Sequence, residues 1–154
     1  MAAFGHSPLT RAANRMLTRM VSRGRGPGFI RLLTVRGRRT GRDHTTPVVP
    51  LVTARGRWLV SPYGEVGWVR NARAAGEVTL SRGRTAEVLR AVEVDPADAV
   101  PVLRAYRAKR PVGWIVRSHV GFGPRASDAE IAAQAARYPV FELLAVTDAD
   151  EAEK

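Results

Sequence analysis

The sequence predicts a small α+β domain, mostly β, built on an antiparallel sheet that forms a closed or split barrel with short helices at its crossings. Two observations lead there. From Phe29 to Glu93 the chain alternates short apolar, β-branched runs with tight glycine-containing turns, so neighbouring runs pair as hairpins. The helical stretches are short, and about six strands joined this way fit a barrel better than a parallel sheet. With 154 residues the chain makes one ordinary domain with a core of its own.

The elements follow in order. In Pro8 to Ser22, the residues Leu9, Ala12, Ala13, Met16, Leu17, Met20 and Val21 recur at helical spacing. Ser7 can cap this helix, with Pro8 in its first turn. Arg11, Arg15, Arg19 and Arg23 form one polar stripe along it, and Gly24 to Gly28 ends it. Residues 1–27 thus read as a basic amphipathic helix and linker, 28–147 as the barrel, and 148–154 as an acidic, frayed tail.

Within the barrel, Phe29 to Val35 is a strand and Gly37 to Asp43 a basic turn. Thr45 to Thr53 reads as a second strand, with Pro47 and Pro50 implying an edge or a bulge. Arg55-Gly56 turns into a third strand, Arg57 to Ser61, and Pro62 to Gly67 is a loop. Trp68 to Ala75 is a short helix with Gly76 as its C-cap. Glu77 to Ser81 and Arg84 to Glu93 form another hairpin around Arg82-Gly83. Asp95-Pro96 opens a helix to about Ala108, Pro111 to Pro124 is unassigned, and Ser127 caps a helix to about Arg137. Val140 to Val146 is the last strand.

Composition narrows function. There is no cysteine, which excludes disulfides, thiolate metal sites and a cysteine nucleophile, and which fits a reducing cytoplasm. No apolar run is long enough to span a bilayer, and the N-terminus lacks a signal-peptide core. The net charge of +11 is nearly all arginine, since Lys109 and Lys154 are the only lysines. A GC-rich genome produces that bias. So does a need for planar forks that pair with phosphates and carboxylates. Either way the expected partner is anionic.

Four constellations stand out. Arg36 to Pro47 sets two glycines among arginines, with Thr40, Thr45 and Thr46 adding hydroxyls. This is either an anion cradle, its backbone N–H groups turned toward a ligand, or a solvated hairpin turn. It is neither a Walker A loop nor a dinucleotide fingerprint, for lack of the right spacing and of a following helix. Ser61 to Gly64 and Gly67 to Asn71 could bind a ring edge, with Trp68 as a wall or as plain core. His6, His44 and His119 have no metal-ligand spacing, and Ser61, His119 and Asp98 lack the strand-to-helix elbow of a hydrolase triad. The basic N-terminal helix reads either as packed on the barrel or as a contact with an acidic membrane surface.

The stretch Leu32-Leu33-Thr34-Val35-Arg36-Gly37-Arg38-Arg39-Thr40-Gly41, followed by Thr46-Pro47, resembles the hallmark of the deazaflavin-dependent nitroreductases. The resemblance continues through Ser61, through Trp68-Val69-Arg70-Asn71, which is similar to the family's Trp-x-x-Asn segment, and through Ala74 to Val78 and Pro139-Val140-Phe141. It implies an FMN-binding-like split β-barrel, coenzyme F420 as cofactor, and hydride transfer to a small electron-poor acceptor: a quinone, nitroarene or enone. Carried over by position, Arg38, Arg39, Thr40, Gly41, Arg42, Thr46 and Pro47 would hold the cofactor's phosphate and glutamate tail. Ser61, Trp68 and Asn71 would lie by the ring. Ser61 is the expected donor to developing negative charge. Tyr106, Trp114 and Tyr138 are the expected substrate-pocket aromatics.

The chain departs from that pattern at Pro50, in the short loop 62–67 and at Gly76, all of which bear on substrate choice. An FMN-dependent split-barrel enzyme is the nearest alternative. A barrel that stores the deazaflavin without turnover, and a basic nucleic-acid-binding barrel, are the others; for the last, aromatic stacking platforms among the arginines are few. A homodimer and a helix-mediated contact with the inner face of the membrane complete the expectations.

Overall fold

The structure is a computed structural model that describes residues 8–146. Seven strands form one antiparallel sheet: β1 (Arg31–Arg36), β2 (Asp43–Val48), β3 (Leu51–Thr53), β4 (Gly56–Val60), β5 (Glu77–Arg82), β6 (Thr85–Glu93) and β7 (Val140–Ala145). Their order is β2-β1-β5-β6-β7-β4-β3, so β2 and β3 are the two edges.

Only Val49 and Pro50 separate those edges in the chain. Six strand spacings in a flat sheet would hold them roughly 29 Å apart. Two intervening residues reach about 11 Å. The sheet must therefore curl until its edges nearly meet, held there by a covalent link instead of a ladder. This is a split barrel. The sequence predicts one strand over Thr45 to Thr53; the segment forms two, on opposite edges. Pro47 and Pro50 carry no N–H, so each suits an edge or a break and neither suits a continuous central strand.

Strand alternation then sorts the side chains onto two faces. Leu33, Val35, Val78, Leu80, Leu89, Ala91, Leu59, Phe141 and Leu143 line the concave face. Helix α2 (Gly67–Ala75) plugs that face with Val69 and Ala72. It ends at Gly76 in the left-handed region, φ +70°, where the Gly76 N–H meets the Ala72 carbonyl at 2.8 Å.

The convex face carries two separate helical coverings. Helix α1 (Pro8–Ser22) sets Val21 and Leu17 against Ile30, Leu32 and Val49. Helices α3 (Val100–Ala108), α4 (Val112–Ile115) and α5 (Asp128–Gln134) cover Leu51, Val60 and Val140 at the other end. Between them Val88 and Val92, on the outer side of β6, stay exposed.

Two boundaries differ from expectation for local reasons. The helix expected from Asp95 begins at Val100, because Pro101 would sit inside the longer helix and break it, whereas it is tolerated in the first turn of α3. Residues 95–99 form a hydrogen-bonded turn instead. Ser127 caps α5 as expected, with Glu130 completing a capping box, and a 3-10 turn (Ala135–Arg137) finishes the segment. The Ser7 cap and the acidic tail lie outside the described residues. Among the described residues no helix is long and apolar enough to cross a membrane.

Candidate functional site

The barrel has two mouths, at opposite ends of β1. At the Arg36 end, the turn 37–42 folds back on itself. The Gly37 N–H meets the Arg42 carbonyl at 2.7 Å, and the Gly41 N–H meets the Gly37 carbonyl at 3.0 Å. Glycine is required at both positions. A Cβ on Gly37 would come within 2.8 Å of both the Arg42 carbonyl oxygen and the His44 ring, and Gly41 has φ +73°.

The turn is anchored to α2 by one buried side chain. The Asn71 carbonyl oxygen accepts from the Arg38 backbone N–H at 3.2 Å and from the Arg38 guanidinium at 2.8 Å. Asn71 is one of two buried polar residues among those described; Ser61 is the other. Burying an amide requires such partners. Asn71 therefore fixes where the turn stands relative to the helix.

What remains unsatisfied faces outward. Arg36, Arg39 and Arg42 are exposed and have no acidic or carbonyl partner among the described residues. The turn's hydrogen bonds use the N–H groups of Gly37, Arg38, Gly41 and Arg42, the last on Thr40 Oγ1 at 3.3 Å, and leave those of Arg39 and Thr40 open. Three unpaired guanidiniums and two free N–H groups on a rigid turn fit a phosphate with an acidic tail. Trp68, one helical turn before Asn71, is half-buried with its ring 5.9 Å from Phe141. Its ring, backed by Phe141, stands on the same helix as Asn71.

The structure divides the other expected residues. Thr46 points to the concave face opposite Leu33, whereas Pro47 pairs with Leu32 on the convex face beneath α1. Pro47 therefore cannot line the same site as Thr46. Ser61 is fully buried, and its hydroxyl donates to the Gly64 carbonyl at 2.6 Å. Its only proton closes the 61–64 loop, so as placed Ser61 is a loop-fixing residue and not the expected donor to an acceptor.

Tyr106 and Tyr138 belong to the convex helical core, not to a pocket beside Trp68. Burial pushes the Tyr106 hydroxyl well above its ordinary range, with nearby Tyr63 adding to it. The Tyr138 hydroxyl accepts from the Gly121 N–H at 2.8 Å, a structural bond across the helical layer. Trp114 is 61% exposed, with the Arg117 guanidinium 4.0 Å over its ring. Nothing in the structure brings these three together with Asn71.

Sequence reasoning missed a contact nearer the loop. Tyr63 meets His119 edge-on, ring centres 4.9 Å apart, and partial burial raises the Tyr63 hydroxyl above its usual range. The two residues are far apart in the chain, and no motif joins them.

A family model described as F420H(2)-dependent quinone reductase matches residues 10–121. No curated protein matches the chain. Among solved structures, an F420-H2 dependent reductase, FDR-A, is 17% identical; the match covers 75% of this chain and 93% of that one, with a TM-score of 0.50. A protein of unknown function from Agrobacterium tumefaciens is 14% identical, over 96% of this chain and 64% of its own, with a TM-score of 0.58. The haem storage protein HutZ from Vibrio cholerae is 11% identical, over 86% and 89%, with a TM-score of 0.53. At these identities the structures share the split-barrel fold, and the family match carries more.

Proposed function

Because this chain belongs to the F420H(2)-dependent quinone reductase family, and is therefore an F420-dependent oxidoreductase, we propose that its turn 37–42 and helix α2 together form the cofactor site and that its acceptor is a small quinone, with nitroarenes and enones as further acceptors. The observation that carries the proposal is the outward array of Arg36, Arg39 and Arg42 on a turn locked to Asn71.

When bound, the reduced deazaflavin supplies the hydride. The chain's own residues bind and orient. Arg39 and Arg42, with the N–H groups of Arg39 and Thr40, hold the anionic tail. Asn71 keeps Arg38, and with it the turn, in place. Trp68 backs the planar ring. No acid–base pair beside Trp68 is needed for this role, since positioning supplies much of the acceleration. FMN has a phosphate but no glutamate tail, so an array of three unpaired arginines suits the longer anion better. A fluorescence titration at physiological salt is expected to show saturable binding of F420 and weaker binding of FMN. Reduced F420 is then expected to be oxidised on adding a soluble quinone. FMN binding alone, or F420 binding without turnover, would refute the assignment.

Helix α1 supports a second part of the function, contact with an anionic lipid surface. Leu17 and Val21 face the barrel, but Leu9 (82% exposed), Met16 (64%) and Met20 (38%) form a separate apolar stripe in solvent. Arg11, Arg15 and Arg19 run alongside it. The first 42 residues hold ten arginines and no acidic residue, so pairing this stripe with itself would bring like charges together. The protein is expected to co-sediment with phosphatidylglycerol vesicles and not with phosphatidylcholine ones, and Met16→Glu with Met20→Glu is expected to release it. Concentration-dependent dimerisation lost in the same variant would assign the stripe to self-association instead.

A further inference from the structure

The second mouth of the barrel, at the Arg31 end of β1, holds a cavity of about 660 Å³. Arg31 and Arg36 lie five residues apart on an extended strand, roughly 17 Å. The cavity and the turn 37–42 are therefore separate places. Ligand sites span about 300–1,000 Å³, so this one has room for a molecule of nucleotide size.

Its lining is built from three elements that the chain pins together. Arg82 donates from both terminal nitrogens to the carbonyls of Gly24, Gly26, Pro27 and Ile30, which straps the linker after α1 to the β5–β6 hairpin. The Gly83 N–H meets the Val21 carbonyl at 2.9 Å and seals the same junction. This close approach needs glycine at the hairpin tip, where φ is +58° and a Cβ would come within 3.3 Å of Gly24.

Five arginines line the cavity, Arg23, Arg31, Arg57, Arg82 and Arg84, against one carboxylate, Glu87. Glu87 is already taken. Arg57 binds it at two points, 2.7 and 2.9 Å, and holds its carboxyl below the ordinary range. Arg31 uses one terminal nitrogen on the Gly28 and Ile30 carbonyls. Arg23, from the end of α1, and Arg84, from the hairpin, have no partner among the described residues. Like charges gathered in one cleft focus a positive potential and repel one another until an anion arrives.

We infer that this mouth is a second anion site, for a phosphate-bearing small molecule with at least two negative charges, independent of the cofactor cradle. Arg23, Arg31 and Arg84 approach it from three different elements. That arrangement matches a tetrahedral oxyanion, whereas a planar carboxylate is satisfied by a single fork. Leu80 gives the cavity an apolar floor on which the rest of the molecule can lie.

The test is calorimetric titration with inorganic pyrophosphate at physiological salt. Wild type is expected to bind saturably and to gain thermal stability on binding. Replacing Arg23 and Arg84 by alanine should weaken pyrophosphate by roughly tenfold or more while leaving F420 binding unchanged. Neither residue has a partner among the described residues, so the fold should survive, and without ligand the variant should melt no lower than wild type. Arg39→Ala with Arg42→Ala should remove only the pyrophosphate that the 37–42 turn holds and leave saturable binding at this mouth intact. Equal weakening by the two double variants would reveal diffuse attraction to a basic protein, and displacement by F420 of the pyrophosphate that Arg23 and Arg84 hold would make this mouth part of the cofactor site. Either result, or no saturable binding, overturns the inference.

Discussion

Replacing Arg39 and Arg42 together by alanine is expected to weaken F420 binding by about 100-fold or more, with the fold unchanged. The size follows from the strength of the bonds that each guanidinium makes to an anion. A hydrogen bond to a charged group contributes about 1.5–3 kcal/mol, and about 1.4 kcal/mol is a factor of ten, so removing two such bonds gives at least that change. The fold should hold because both side chains are exposed and bond to nothing among the described residues. The Arg38–Asn71 anchor, which sets the turn's shape, is left in place. Titrations at rising salt add a second readout: wild-type affinity should fall steeply, and the variant's much less, because fewer charge pairs remain to be screened. Binding within about threefold of wild type would place the acidic tail elsewhere.

Phe141→Ala is expected to cost roughly 3–5 kcal/mol of stability, close to the whole margin of a small domain. Phe141 is fully buried at the centre of the concave core, opposite Leu59 on β4 and Glu93 on β6, and it supports Trp68. Removing the ring leaves a cavity at the point where both halves of the sheet and α2 meet. Urea unfolding should show a much lower midpoint with an unchanged slope. A loss below about 1 kcal/mol would mean that the barrel collapses around the gap, which the strands paired on both sides of β7 should prevent. Phe141→Leu, keeping most of the volume, should recover much of the loss.

The hairpins, the helices and the basic turn were legible because their signals are local. Gly37 and Gly41 announce a turn, Gly76 ends a helix and Ser127 with Glu130 begins one. What could not be read depends on partners far along the chain. Thr45 to Thr53 looks like one strand because its prolines mark only an edge or a bulge; that it serves two edges follows from pairing with β1 on one side and β4 on the other. Tyr106 and Tyr138 are as aromatic as a pocket residue, and only the docking of α3 to α5 on the convex face shows them to be core. Ser61 sits at the expected strand end, yet its hydroxyl turns inward to Gly64, a choice made by the loop and not by the motif. At the basic turn, residue type and spacing singled out the arginines as candidates, but the buried Asn71 link that anchors the turn needed the packed helix.

The two-residue link between β2 and β3 also governs how the protein behaves in a crowded solution. An open sheet offers its rims as templates on which other chains can polymerise. Here one rim holds Pro47, which has no hydrogen to donate, and the other is three residues long. The link draws the Val48 and Leu51 ends of the two rims together, so an incoming strand finds no long continuous row of donors and acceptors. Joining the rims by Val49 and Pro50 thus guards against fibril growth without a closing ladder of hydrogen bonds.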